Sequence, residues 1–185
     1  MCRGPLGLND CVADVSANCS PIVMQRKVDE TPFFDRPWAQ FRAEFGSRDG
    51  NYWLGNERLH QLTKDGGYKL RIDLQQRFTG DWFWVEYDTF VVGSEATTYT
   101  LRVGNFSGNT GDMLRYANGL MFSTYDRDHD RVVNYPFNCA AHIQGGFWYF
   151  WCGYGLLNGA GNRFNWFGLA GEHRLLRSEM RLLCR

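Results

Sequence analysis

The spacing of apolar side chains changes period along the chain. Asp35 precedes Arg36-Pro37, and Trp38, Phe41 and Phe45 follow at helical spacing until Gly46. An acidic N-cap, an early proline and a terminal glycine predict a short helix. Asn56 to Thr63 predicts a second, with Leu59 and Leu62 turned inward. After the Asp65-Gly66-Gly67 turn the period drops to two. Tyr68, Leu70, Ile72 and Leu74 alternate with Lys69, Arg71 and Asp73, the pattern of a half-buried strand. Asp81 to Val92 predicts another strand, with Phe83, Val85 and Tyr87 opposite Trp84, Glu86 and Asp88. Tyr99, Leu101 and Val103 alternate with Thr100 and Arg102 in a third strand, and Leu175 to Leu183 forms a closing strand. From Gly104 to Arg174 the periodicity fades. Gly and Asn recur there, and Phe147, Trp148, Tyr149, Phe150 and Trp151 run together. A loop region of that length inside a compact domain is either functional or held by disulfides, metals or aromatic wedges. Residues 1–20 show no period and hold Cys2, Cys11 and Cys19 with Gly4, Pro5 and Gly7, which predicts an irregular lead-in. No internal repeat is visible.

Composition narrows the class. At 185 residues the protein fits one domain and can bury roughly 70% of its unfolded surface. Apolar residues at 44% exclude intrinsic disorder, and aromatics at 16% with 21 Gly against 5 Pro favour a turn-rich, β-leaning fold. Lys and Arg (20) balance Asp and Glu (20), so no basic excess supports nucleic-acid binding. The most apolar run, Gly146 to Leu157, is too short and too glycine-rich to span a membrane. Six Cys permit three disulfides in an oxidising compartment. The first residues carry Cys2, Arg3, Asn9, Cys11 and Asp14 without an apolar stretch, so they do not read as a signal peptide. Together these predict a fragment, or a true start upstream. Cys2, Cys11 and Cys19 are three, so one needs Cys184 or another molecule if all are paired.

Several groups carry candidate chemistry. Asp126, Asp128 and Asp130 alternate with Arg127 and His129. Such carboxylates repel unless a cation sits among them, and a loop can fold two of them onto one Ca²⁺. An EF-hand is excluded, because its sixth position would be Arg131 and its twelfth Phe137. The bland alternative is a solvated charged turn. Cys139 and Cys152 bracket a segment rich in bulky aromatics. They read as a disulfide closing a short loop, as two buried thiols, or, less well, as zinc ligands with His142. Enzyme signatures are lacking: there is no Gly-x-Ser-x-Gly elbow, phosphate loop or His-Glu-x-x-His motif, and His60, His129, His142 and His173 are scattered. Asn105-Phe106-Ser107 and Asn18-Cys19-Ser20 match the N-glycosylation acceptor.

From residue 21 onward the sequence resembles the fibrinogen C-terminal globular domain family, which includes ficolins, tachylectins, tenascins and angiopoietins. The opening strand Ile22-Val23-Met24-Gln25-Arg26-Lys27-Val28-Asp29 is followed by Tyr52-Trp53-Leu54-Gly55-Asn56 and Leu59-His60-Gln61-Leu62-Thr63. Tyr68 to Leu74, Gly111-Asp112, Phe122-Ser123-Thr124 and Asp126 to Asp130 continue the match. Asn138-Cys139-Ala140, Gly146-Phe147-Trp148-Tyr149, Cys152, Leu157-Asn158-Gly159, Asn165-Trp166 and Ser178-Glu179-Met180 complete it. The resemblance implies an α+β fold: a twisted, mainly antiparallel sheet with short flanking helices and a large loop-rich calcium-binding region. It implies one Ca²⁺ held by Asp128 and Asp130 with backbone carbonyls of Val132 and Asn134, and Asp126 behind them. It implies a Cys139–Cys152 disulfide and a secreted binding module rather than an enzyme.

The sequence departs from the family pattern in three places. Residues 1–20 do not resemble the family's N-terminal subdomain, so 21–185 is expected to lack it and to expose a sheet edge. Eight residues separate Asp130 from Cys139, a long spacer. The acetyl-group pocket of the lectin-like members is also altered. Gly153 stands where they place a His and Ile143 where they place a Tyr, and the segment Ala160 to Asn165 is short. His142 or Tyr154 are the candidate replacements. The expected function is an extracellular recognition domain with a structural calcium site, binding a protein or glycan. It is expected to belong to a larger or oligomeric protein, without nucleic-acid binding or membrane insertion. The competing reading is a truncated structural or interaction module without a functional pocket.

Overall fold

The computed structural model describes residues 20–130 and 137–185 of the protein. Among them, seven strands form one sheet in the order β2-β3-β1-β9-β4-β5-β6, with neighbours antiparallel. The strands are β1 (Ile22–Lys27), β2 (Phe45–Gly46), β3 (Tyr52–Trp53), β4 (Tyr68–Gln76), β5 (Trp82–Val92), β6 (Leu101–Gly108) and β9 (Leu175–Cys184). A two-stranded ribbon, β7 (Gly155–Leu156) with β8 (Asn165–Trp166), lies in the loop region. Three short helices complete the fold: α1 (Trp38–Arg42), α2 (Asn56–Thr63) and α3 (Cys139–Ile143). The mainly antiparallel α+β architecture is as expected. No described helix is long and apolar enough to cross a membrane.

The two-residue period of β4 explains the sheet's two faces. Leu70, Ile72 and Leu74 are fully buried. Register sets them beside Tyr87, Val85 and Phe83 on β5, and beside Leu182, Met180 and Ser178 on β9. This inner face carries the loop region. The alternate residues meet on the outer face in a charge ladder. Arg71 contacts Asp73 at 2.8 Å and Glu86 at 3.0 Å, Arg26 contacts Glu179 at 2.6 Å, and Arg181 bridges Asp73 and Glu179. Such half-exposed pairs contribute little singly, but opposite signs across neighbouring strands favour this register over a slipped one.

Four features differ from the sequence expectation. Residues 45–46 are strand rather than helix, and the first helix is only five residues long. Asp35 does not cap it. Pro37 holds the N-cap position without a side-chain bond, and the amide of Trp38 instead donates to Asp126 Oδ1 at 2.9 Å. The cap is therefore tertiary. The third strand starts later and runs further than expected, because Thr98 and Tyr99 have φ of 57° and 48°. On β5, Val85 and Tyr87 are buried, but so are Phe90 and Val92, so the buried parity switches. β4 pairs β5 only up to Tyr87. Beyond it α2 lies alongside: Thr63 Oγ1 accepts from Val92 N at 2.9 Å, and His60 Nδ1 donates to Val92 O at 2.9 Å. The expected lead-in, residues 1–20, lies outside the described residues except for Ser20. Cys184 is disulfide-bonded.

Between β6 and β9 the backbone is held by aromatic side chains. Phe122 is fully buried and meets Trp148 at 5.0 Å, Phe41 at 5.1 Å, Trp53 at 5.8 Å and Trp38 at 6.2 Å between ring centroids. The backbones of Gly111 and Gly168 touch: a Cβ on Gly168 would sit 2.7 Å from Gly111 Cα, and Gly111 N donates to Gly168 O at 3.2 Å. Only glycine permits that approach.

The tertiary cap has a measurable consequence. Asp126→Ala is expected to destabilise the fold by about 1–2 kcal/mol, the usual cost of removing a helix cap. The exposed Asp35→Ala is expected to stay within about 0.5 kcal/mol of the unmutated protein. Urea unfolding of both variants checks this, and equal effects would contradict the cap assignment.

Candidate functional site

The loop region converges on α3. Asn138 caps this helix, its Oδ1 accepting from Ala141 N at 2.9 Å. The same side chain donates through Nδ2 to the carbonyls of Thr124 (3.1 Å) and Tyr125 (3.2 Å). Cys139, the first helical residue, donates its amide to Asp130 Oδ2 at 2.8 Å. Its Sγ is bonded to that of Cys152, with Cα atoms 4.9 Å apart. Asp130 thus lies beside two sulfurs that are joined to each other, and the zinc alternative loses its thiolates. Trp151, Cys152 and Tyr154 have φ of 52°, 53° and 77°. Such conformations are costly for residues with side chains, and they cluster where a structure over-determines a site.

Beside the disulfide lies an open groove of about 390 Å³. Ile143, 2% exposed, and His142 come from α3, and Cys152 with Gly153 form the next wall. Arg163, Asn165 and Phe167 close the far side. The His142 ring packs at a tilt against Phe137, with centroids 4.5 Å apart. Partial burial and the nearby Arg163 charge hold its imidazole below the ordinary histidine value. Arg163 Nη1 donates to Gln144 Oε1 at 3.2 Å. Neither His142 nor Arg163 has a carboxylate within ion-pair distance among the described residues. Asn165 is only 7% exposed, and its Oδ1 has no hydrogen-bond partner among the described residues. A buried acceptor left unpaired is costly, so it marks a place where a donor is wanted. Gly159 sets the position of Arg163: a Cβ there would lie 2.2 Å from Arg163 O.

The acidic turn sits on the other side of α3. Asp130 N donates to Asp128 Oδ1 at 3.2 Å, which folds the two carboxylates onto one turn. His129 pins this turn through its amide to Ser123 Oγ (3.0 Å) and its ring Nδ1 to Phe122 O (2.8 Å). Partial burial lifts the Asp128 carboxyl above its ordinary value, and the Asp130 charge adds to that. No cationic group pairs with Asp128 among the described residues. Asp126 accepts from Trp38 N and, at 2.7 Å, from Thr124 Oγ1, which commits one oxygen to structure. A hard, oxygen-seeking cation suits this donor set. The expected carbonyl donors Val132 and Asn134 lie outside the described residues.

The structure brings His142, Ile143 and Gly153 together, but not Tyr154. Its ring stacks on Tyr116 at 3.9 Å and meets Phe150 at 6.0 Å, and it does not line the groove. Sequence reasoning missed Arg163, Asn165 and Phe167. The one signal was Asn165-Trp166, noted as a motif without a role.

Comparison with known proteins places the sequence. The family model for the C-terminal globular domain of the fibrinogen beta and gamma chains matches residues 11–172. The protein belongs to this family, whose members are recognition and structural domains rather than enzymes. It is 35% identical over 182 residues to Protein scabrous of Drosophila melanogaster, a match that takes in 98% of this sequence and 22% of that protein. It is 42% identical over 139 residues to human Ficolin-3, with 75% of this sequence and 45% of that one matched. The fibrinogen-like globe domain of human ANGPTL2 superposes with a TM-score of 0.79 at 35% identity, over 89% of this protein and 80% of that one. A lamprey fibrin D-dimer, solved with the peptide ligand Gly-His-Arg-Pro-amide, superposes at 0.77 with 27% identity, over 88% of this protein and 60% of that one. The sequence spans less than half the length of the curated relatives it matches first.

The Cys139–Cys152 bridge closes a loop with a sequence separation of 13. Replacing both cysteines by serine is expected to lower stability by about 2–4 kcal/mol on the chain-entropy model. Urea unfolding measures the loss. Peptide mapping without reductant checks the bridge itself, and two free thiols in secreted material would exclude it.

Proposed function

We propose that the protein is an extracellular recognition domain that binds an anionic group of a protein or glycan partner in the groove beside the Cys139–Cys152 disulfide. The observation that carries this reading is the groove's unmet polar demand. Arg163 brings a cationic side chain and His142 an imidazole that becomes cationic in acid, neither with an acidic partner among the described residues, and the buried Asn165 Oδ1 has no donor there. A ligand with a carboxylate next to an N–H or O–H meets both demands, and the half-exposed Phe167 offers an apolar wall. Gly153 and Ile143 supply neither a ring nor a donor for a neutral acetyl group. Space is not the obstacle at Gly153, where an added Cβ would meet nothing nearer than Trp151 O at 3.7 Å.

Calorimetry with two sugars tests the reading: N-acetylneuraminic acid, which carries a carboxylate, and neutral N-acetylglucosamine. The acid sugar is expected to bind and the neutral one not. Arg163→Ala should abolish the binding, and Gly153→His should not create binding of the neutral sugar. Affinity should rise as the pH falls below about 6.5, because the imidazole must gain its proton there while the carboxylate remains ionised. His142 has its value held below the ordinary one, so the rise belongs on the acid side of that point. Equal binding of both sugars would overturn the anionic reading. Binding of neither, together with no other anionic ligand, would favour the structural module without a pocket.

We also propose that Asp128 and Asp130 hold one Ca²⁺, with carbonyls of Val132 and Asn134 completing the set. The two carboxylates on one turn and the lack of a cationic side chain on Asp128 support this. Binding to the folded state alone adds about 2.7 kcal/mol at a hundredfold excess over Kd. Chelation is therefore expected to lower Tm. Asp128→Ala should remove that sensitivity, and Asp126→Ala should only weaken it. Equal Tm in calcium and in chelator would count against the site.

A further inference from the structure

The sheet has two edges, and they are finished differently. At one end β2 is only two residues long. At the other, β6 is eight residues long, and its outward backbone groups divide into two halves. Leu101 N donates to Leu120 O at 2.9 Å, and Leu101 O accepts from Gly119 N at 2.8 Å. Val103 N donates to Asn118 Oδ1 at 3.0 Å. The loop at 118–120 therefore covers the first half. Past Val103 the regular alternation is broken at Asn105, which is left-handed and has no partner in the ladder, while Gly104, Phe106, Ser107 and Gly108 stay in register with Thr89, Tyr87, Glu86 and Val85 and Asn109 N donates to Trp84 O at 3.1 Å. β6 is the last strand of the sheet, and among the described residues no backbone segment on its outer side bonds to residues 104–108. An open edge of this kind is a template for pairing with another polypeptide, and proteins protect such edges.

The open half coincides with an acceptor sequence for N-linked glycosylation, Asn105-Phe106-Ser107. All three residues are exposed, so a glycan added during synthesis can stay attached once the protein has folded. Asn105 has φ of 48°, a left-handed conformation that asparagine tolerates better than most residues. Its Nδ2 donates to Asp88 Oδ2 across the strand pair at 2.7 Å. Beside it a small cleft of about 130 Å³ is lined by Phe106, Asp112, Arg115 and Asn118. Phe106 offers an exposed ring, and the others offer hydrogen-bonding groups at the size of one sugar residue.

We propose that Asn105 carries an N-linked glycan that covers the open half of the β6 edge and keeps it from pairing with other polypeptides. The donor class is a polyisoprenyl-pyrophosphate-linked oligosaccharide. Asn105 Nδ2 forms a bond to C1 of the first N-acetylglucosamine, the bond from C1 to the pyrophosphate oxygen breaks, and pyrophosphate leaves on the lipid. The amide loses one of its two protons in the process. The proton that remains can still be donated to Asp88 Oδ2, so the modified side chain keeps its cross-strand bond. The bulk of the sugar then lies over the uncovered second half of the β6 edge. This inference rests on the extracellular reading of the protein but not on the groove or its ligand.

Expression behind a cleavable secretion leader in insect cells tests it. The protein purified from the medium is digested with peptide:N-glycosidase in ¹⁸O-water and mapped. Conversion of Asn105 to labelled aspartate is the expected result, with Asn18 scored separately on its own peptide. Asn105→Gln and Ser107→Ala are each expected to remove the glycan at this position, and Ser107→Thr to retain it. Sedimentation of the Asn105→Gln protein should show a higher weight-average mass, corrected for glycan, than the unmutated protein. An Asn105 peptide without the modification, in material whose Cys139–Cys152 bridge has formed, would overturn the proposal. The bridge shows that the protein passed through the oxidising compartment, so failure of the modification is separated from failure of the extracellular reading. Glycan present at Asn105 with no change in association on its removal would overturn the edge-protecting role.

Discussion

The loop region between β6 and β9 has almost no ladder of its own, so its position depends on the rings packed around Phe122. Phe41, Trp38, Trp53 and Trp148 come from α1, β3 and the loops, and all meet at that one buried side chain. Large rings suit this task because each buries much area at the cost of few torsions. Their polar tips do the second half of the work. Trp53 Nε1 donates to Phe41 O at 3.2 Å, Trp148 Nε1 to Tyr99 O at 2.7 Å, and Trp166 Nε1 to Gly111 O at 2.9 Å. Carbonyls that no strand partner satisfies are thereby paired inside the protein. The high aromatic content is the means by which a loop region of this length becomes a core.

A buried polar network fastens that core to the sheet. Gln25 on β1 is fully buried, and its Nε2 donates to Leu157 O (3.0 Å), Asn158 Oδ1 (3.1 Å) and Ser178 Oγ (3.1 Å). Asn158 Nδ2 in turn donates to Gly146 O at 2.8 Å. One amide on the inner face of β1 therefore joins β9 to the segment that ends in Gly159 and Arg163. Lys27, two residues along, is equally buried. Its Nζ donates to Thr31 O at 2.8 Å between the rings of Phe34 and Phe164, and burial pulls its ammonium down to about 8. These groups are costly unless every partner is present, so they tolerate only one placement of the loops on the sheet.

Local pattern was readable in the sequence wherever the structure is local. The alternation of Tyr68 to Leu74 and the spacing of Asn56 to Thr63 became β4 and α2, because each buries one face against a neighbour along its own length. The errors fall where distant segments decide. Asp35 looked like a cap, yet the cap comes from Asp126, which no spacing connects to Trp38. The switch in buried parity on β5 reflects where β4 stops pairing, a property of the sheet and not of the strand. α3 is too short to show a period. In the groove, His142 and Gly153 were legible through the family motif around the disulfide. Arg163 and Asn165 were not, since their convergence depends on Gly159 and on a turn that sequence alone leaves undirected.

The acidic turn and the groove share one short helix, and this links the two proposals physically. A helix of five residues has no stability of its own, so α3 stands where its contacts hold it. Three of those contacts are Asp130 Oδ2 on the Cys139 amide, Asn138 on the carbonyls of Thr124 and Tyr125, and the disulfide to Cys152. A cation that fixes Asp130 therefore fixes the start of α3. Through the disulfide it also fixes the strained turn that carries Gly153. His142 lies within the last turn of that helix, and Arg163 is bonded to Gln144, the residue that caps the same end. The position of both side chains thus depends on how firmly α3 is seated. On the proposed reading, calcium acts on recognition without touching the ligand: it removes freedom from the helix that carries His142 and that bonds Arg163 through Gln144, and a site ordered before binding loses less entropy when the ligand arrives.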